Sequence, residues 1–124
     1  MSKTINLGVL GIDHGHIFDM LDEMLKEGCS CNYFWTEGSP LTLDEFGKKY
    51  PQIKRVDNKN IILNDDTIDM ILISSIPKDR ANLSIDAMKA GKDVMVDKPG
   101  CTTLDQLNNL KQTVKDTGKI WSIN

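Results

Sequence analysis

No stretch of the 124 residues approaches the roughly 18 apolar residues of a membrane span. The opening Met1-Ser2-Lys3-Thr4 runs directly into a strand-like segment, without the apolar centre of a signal peptide. No membrane partner is expected, and the expected compartment is the cytoplasm. Basic residues form no stripe: the formal charge is −3, and lysines are scattered among aspartates, which disfavours nucleic acid as a partner. Cysteine is scarce and odd in number (Cys29, Cys31 and Cys101), so a disulfide framework is excluded as the basis of stability. Cys29 and Cys31, two apart in a strand-like run, are read as packing residues on one face. Internal repeats and low-complexity linkers are also missing.

What remains is the composition of an ordinary globular domain. A hydrophobic fraction of 40% and a charged fraction of 27% suffice for one core and one soluble surface, and the length leaves no room for a second domain of similar size. Short apolar runs alternate with stretches of helical spacing. A strand is expected over 5–11 and a helix over 16–26, stopped by Gly28, followed by a compact aromatic strand over 29–36. Gly38-Ser39-Pro40 breaks the chain before a helix that starts at Thr42 or Leu43, ends at Lys49 and is followed by Pro51. A weak strand over 53–56 and a short helix within 58–64 lead to the strongest strand signal, 68–73. A helix over 79–90 follows, with apolar rows Ala81/Ile85/Met88 and Leu83/Ala87/Ala90. The strand 93–96, a helix over 103–117 carrying Leu104, Leu107, Leu110 and Val114, and a last strand over 120–123 complete the chain. Such alternation predicts an α/β fold: a doubly wound, mostly parallel sheet in a three-layer αβα domain.

The segment Gly8 to His16 occupies the turn between the first strand and the first helix, where a dinucleotide-binding fold puts its phosphate loop. A G-x-G-x-x-G fingerprint beginning at Gly11 would place glycine at positions 13 and 16, which here hold Asp13 and His16. A carboxylate at the second position opposes a pyrophosphate by charge, so either Asp13 turns away or phosphate binding is weakened. His16 at the helix start suits loop structuring or contact with a phosphate. Gly11, Ile12, Asp13, His14, Gly15 and His16 are thus the candidate cofactor loop. Asp13, His14 and His16 are also metal-capable donors, but two histidines at i, i+2 in a loop are weak evidence and structural sites want four ligands. No metal is expected. Glu37, 26 residues beyond Gly11 and at the end of the second strand, is placed to accept hydrogen bonds from ribose hydroxyls. No lysine or arginine follows closely to welcome a 2′-phosphate, so NAD is the expected cofactor, with NADP left open.

The run Ala90-Gly91-Lys92-Asp93-Val94-Met95-Val96-Asp97-Lys98-Pro99-Gly100 is the most specific stretch. It resembles the A-G-K-x-V-x-x-E-K-P segment of the glucose-fructose oxidoreductase and inositol dehydrogenase (Gfo/Idh/MocA) family, with Asp97 where glutamate is usual. The resemblance extends upstream through Ser74-Ser75-Ile76-Pro77 and downstream to the last strand. It implies that residues 1–124 are that family's dinucleotide-binding domain, with the second, substrate domain absent. It also implies that Lys98 takes part in catalysis beside nicotinamide and substrate, that Ser75, Pro77, Asp97 and Pro99 lie at the cofactor site, and that the Lys98-Pro99 bond is cis. Arg80 stands about where many members carry a histidine.

The expectation that follows is the nucleotide-binding domain of an NAD(P)-dependent oxidoreductase acting on a sugar, polyol or related hydroxyl compound. The full-length parent is expected to be a homo-oligomer, and this piece a monomer that is inactive alone. The alternative is a non-catalytic ligand-binding or regulatory module on the same fold, with weakened nucleotide affinity.

Overall fold

A computed structural model describes residues 4–124. Six parallel strands form one sheet in the order β3-β2-β1-β4-β5-β6. These are β1 Asn6–Leu10, β2 Ser30–Trp35, β3 Lys54–Arg55, β4 Met70–Ile73, β5 Asp93–Val96 and β6 Trp121–Ile123. The helices are α1 His16–Lys26, α2 Leu43–Lys49, α3 Lys59–Leu63, α4 Arg80–Lys89 and α5 Leu104–Thr117. β1 lies at the centre, paired with β2 on one side and β4 on the other. The strand order therefore reverses direction beside β1, and in open parallel sheets the crevice at that point, outside the strands' carboxyl ends, receives ligands.

Alternation along the central strands splits the core into two layers. Leu7 and Val9 of β1 join Ile17, Met20 and Leu21 of α1 and Phe46 of α2 on one face. Leu10, with Ile71 and Ile73 of β4, faces Ala81, Leu83, Ala87 and Met88 of α4 and Leu110 of α5 on the other. Burying both faces explains why the strands read as continuous apolar runs. Cys31 is buried and Cys29 packs against the same cluster, and all three cysteines are free thiols. The Cys31 thiol is pushed up to about 12 by burial, which leaves it a packing residue rather than a nucleophile.

The element boundaries differ from the sequence expectation in instructive places. The helix expected from Asp79 begins with a 3-10 turn over Pro77–Asp79, because Pro77 fits a first turn that needs no N–H from it. Ala90 and Leu104, both assigned to apolar stripes, are exposed. Ala90 lies past the end of α4, and Leu104 opens α5, whose start is fixed by its cap, Thr103 Oγ1 accepting the Gln106 N–H at 3.0 Å, while Leu110 holds the helix to the core. No helix among the described residues is long and apolar enough to cross a membrane.

Candidate functional site

The loop from Gly11 to Gly15 carries the chain from the end of β1 to α1 across the sheet's carboxyl edge. Gly11 has φ +87°, and an added Cβ would overlap the Ser75 side chain and lie 2.7 Å from the Ser75 Cα. Glycine is thus required twice over, by backbone conformation and by close approach. Its N–H donates to the Trp35 carbonyl at 2.7 Å and its carbonyl accepts from the Ser74 N–H at 3.2 Å, tying the loop to both neighbouring strands. Ile12 is buried; its N–H donates to Thr36 Oγ1 at 3.3 Å and its carbonyl accepts from the Thr42 hydroxyl, so it shapes the loop from within. The His14 N–H donates to the Ser74 carbonyl at 3.0 Å, and His14 Nδ1 accepts the His16 N–H at 3.1 Å. An imidazole thereby caps the first turn of α1, where the helix dipole and free N–H groups otherwise attract an anion.

A cleft of about 300 Å³ opens beside this loop, and Gly11, Asp13, Glu37 and Ser75 all line it. Partial burial raises the Asp13 carboxyl above its ordinary value, with Asp79 and Glu37 adding to the effect and a hydrogen bond to its own backbone and nearby Arg80 opposing it. Glu37 is exposed at the end of β2. Pro77 starts the 3-10 turn whose neighbours Ile76 and Asp79 line the cleft; Pro77 itself does not.

Two cations that the sequence reading missed reach the Glu37 end. Lys59 of α3 lines the cleft, its ammonium 5.8 Å from the Trp35 ring centre. Arg55 of β3 donates to the carbonyls of Thr36 (3.1 Å) and Gly38 (2.7 Å), which flank Glu37. Neither follows Glu37 closely along the chain. The pairing of β3 with β2 brings Arg55 there, a relation that local spacing does not reveal.

Asp97, at the end of β5, is fully buried. Its Oδ2 lies 3.1 Å from Ser74 Oγ and 3.5 Å from Arg80 Nη2, and its Oδ1 lies 2.9 Å from His16 Nδ1. Arg80 is itself 1% exposed and donates to the carbonyls of Ser75 (2.8 Å), Asp97 (3.2 Å) and Pro99 (3.3 Å). Burial pushes the guanidinium below its ordinary value, and Asp97 beside it opposes that shift. Asp97 therefore supports the loop from beneath and does not line the cleft. Arg80 and Ser74 are the residues that hold Asp97 in place. The clue to Arg80 was only its position in the family pattern; burial and partner came from the fold.

The Lys98-Pro99 peptide is cis. Lys98 is exposed and lines a second hollow, about 340 Å³, with His16, Asp19 and Asn124. Gly11 and Asp13 of the loop line the first hollow, and His16, at the start of the helix that follows it, lines the second. These features suit a dinucleotide: a backbone with no Cβ at the loop, a carboxylate acceptor at one end and a lysine ammonium at the other.

A family model for the oxidoreductase family with an NAD-binding Rossmann fold matches residues 38–124. The matched span begins after the loop that carries Asp13 and His16. The chain is 34% identical over 129 residues to the uncharacterized oxidoreductase YdgJ of Escherichia coli (strain K12), covering 99% of this chain and 35% of that protein. It is 24% identical over 126 residues to scyllo-inositol 2-dehydrogenase (NADP(+)) IolW of Bacillus subtilis (strain 168), covering 97% of this chain and 33% of that one. A crystal structure from the oxidoreductases of Erwinia carotovora atroseptica superposes with a TM-score of 0.92 at 29% identity, over 97% of this chain and 36% of the other. The chain thus spans about a third of the length of these relatives. With the matched span, the 3-2-1-4-5-6 sheet and the glycine-dependent loop in agreement, the chain belongs to the Gfo/Idh/MocA oxidoreductase family, as its NAD(P)-binding Rossmann domain.

Proposed function

We propose that this chain holds a nicotinamide dinucleotide across the Gly11 loop for a longer protein that oxidises or reduces a hydroxyl-bearing small molecule such as a sugar or polyol. The observation that carries the reading is the placement of Lys98, exposed in the hollow it shares with His16 at the carboxyl end of β5. When bound, the nicotinamide supplies the hydride-accepting and hydride-donating chemistry. The chain's own residues do the rest. Gly11 lets the backbone approach the diphosphate, and Glu37 accepts from the ribose hydroxyls. The Lys98 ammonium donates to the substrate oxygen and steadies the negative charge that develops there. Asp97 and Arg80 keep the strand end that carries Lys98 rigid.

NAD is the proposed cofactor because Glu37 repels a 2′-phosphate. The competing consideration is the pair of cations, Arg55 and Lys59, at the same end. The test is a calorimetric titration with NAD, NADH, NADP and NADPH. A ligand at 100 times its dissociation constant should add about 2.7 kcal/mol of stability, roughly 10 °C in melting temperature for a domain of this size. No response to any of the four at millimolar concentration sinks the reading for this chain. Turnover of a simple sugar by residues 1–124 alone would contradict the view that the remaining part of the protein positions the substrate.

A second reading, a non-catalytic module that has lost tight nucleotide affinity, is favoured by one feature: His14 already satisfies the helix N–H that a phosphate would take, with Asp13 beside it. Substituting Asp13→Gly separates the two. The oxidoreductase reading expects nucleotide affinity to rise, and the module reading expects the chain to remain silent.

A further inference from the structure

We infer that His14, His16 and Asp97 form a binding site for one divalent transition-metal ion of the zinc, cobalt or iron(II) class. The inference goes beyond the nucleotide reading and does not rest on it. Sequence spacing groups Asp13 with the two histidines; the fold replaces Asp13 with Asp97, some eighty residues away, and turns both imidazoles toward its carboxylate. His16 Nδ1 lies 2.9 Å from Asp97 Oδ1 and His14 Nδ1 3.5 Å from Oδ2, and one donor atom from each of the three residues falls within 4.8 Å of the others. Donors bound to one ion at about 2.0 to 2.2 Å sit roughly 3 to 3.5 Å apart when adjacent, a range the two histidine–carboxylate separations match, while the histidine donors, within 4.8 Å of each other, would close in on the ion.

The chemistry of the donors and of their supports points the same way. Two imidazoles and one carboxylate that leave positions open suit borderline ions that take nitrogen and oxygen together, and suit magnesium or calcium poorly. The carboxylate is positioned from behind, as ligating carboxylates are: Ser74 Oγ at 3.1 Å and Arg80 Nη2 at 3.5 Å both engage Oδ2, which His14 also approaches, while Oδ1 is turned to His16. Arg80, buried beside Asp97, is the carboxylate's charged partner from the protein side. The two imidazoles lie together, ring centres 4.1 Å apart; His14 Nδ1 accepts the His16 N–H here and would give up that hydrogen bond to ligate an ion. Asp97 is 1% exposed at its side chain while His14 and His16 are 53% and 47% exposed, so protein closes one side and solvent reaches the other. The open side meets the hollow of His16, Asp19, Lys98 and Asn124, where a ligand oxygen can complete the coordination. An ion here would draw substrate or diphosphate oxygens to the Lys98 side, which gives Asp13-His14-Gly15-His16 a purpose that a glycine-rich loop does not have.

The test uses tag-free chain, stripped of metal and titrated with cobalt(II), zinc(II) and magnesium(II), with elemental analysis and the cobalt visible spectrum as readouts. One equivalent of cobalt or zinc is expected, with a nitrogen- and oxygen-ligand spectrum lacking thiolate charge-transfer bands, and magnesium binding at least about 100-fold weaker. His14→Ala and His16→Ala, both half-exposed and expected to fold as judged by circular dichroism, should each weaken cobalt binding by about tenfold or more. Three results would overturn the inference: no saturable cobalt or zinc uptake at micromolar concentration, uptake unchanged in both histidine variants, or a thiolate spectrum that assigns the ion to the cysteines. Nucleotide titration of the same samples keeps the two readings apart, because metal uptake without nucleotide binding upholds this site and sinks the other proposal, and the reverse result does the opposite.

Discussion

Arg80→Met should be the most damaging single change at the carboxyl edge of the sheet. The guanidinium is 1% exposed, makes three contacts to backbone carbonyls and is the charged partner of the fully buried Asp97. Methionine fills similar volume, so the loss is of charge and of hydrogen bonds: three carbonyls lose their donor, and a carboxylate remains inside with only Ser74 and the half-exposed histidines beside it. Removing one member of a buried pair costs about 3 to 5 kcal/mol, against a total stability of roughly 5 to 15 kcal/mol for a domain. With a urea slope of about 2 kcal/mol per molar, the midpoint should fall by roughly 2 M, or the melting temperature by 10 °C or more. The double variant Arg80→Met/Asp97→Leu, which removes both charges, should recover at least half of the loss. Measured chemical denaturation of the two variants and of Asp97→Leu closes a double-mutant cycle. A cost under about 1 kcal/mol for Arg80→Met, or simple additivity in the cycle, would refute the view that this pair is coupled in the core.

Gly11→Ala should destabilise by several kcal/mol, about 1 to 2 from the positive φ and the rest from overlap with Ser75, and thermal melts will show it. Lys98→Met, at an exposed position, should leave stability within about 0.5 kcal/mol of the parent while abolishing turnover in the longer protein; retained turnover there would remove Lys98 from the mechanism. Glu37→Gln should raise affinity for NADP relative to NAD by about tenfold, the effect of relieving roughly 1.4 kcal/mol of like-charge repulsion near Arg55 and Lys59, and competition titrations measure the ratio. Hydrogen bonds from Lys49 (2.6 Å) and Tyr50 (2.5 Å) hold the Asp22 carboxyl below its ordinary value. Its folded-state value is depressed, so the stabilisation is complete above the unfolded value of 3.8 and is lost as pH falls through the lower folded value. Asp22→Asn should therefore cost at most about 1 kcal/mol at neutral pH, discounted for solvent screening, and the difference should vanish in acid.

The sequence by itself determined the alternation of elements, because strand and helix periodicities are local and the strands are apolar on both faces. The glycine-dependent turn between β1 and α1 was legible from Gly11 between a strand and a helix, and the family from the run ending in Asp97-Lys98-Pro99. The compact helix His16–Lys26 and the strand Asp93–Val96 lie where periodicity puts them. Only the tertiary structure decided which distant residues share a site. The sheet order sets β5 beside β4 and β4 beside β1, and so brings Asp97, Ser74 and the loop histidines together at one edge. The same order brings Arg55 to Glu37 through β3 and β2, supplying the cations that no neighbour of Glu37 along the chain provides. Pattern within a window reports what each segment is; charge pairing and ligand geometry depend on which segments meet, and that is fixed by burial of the whole sheet at once.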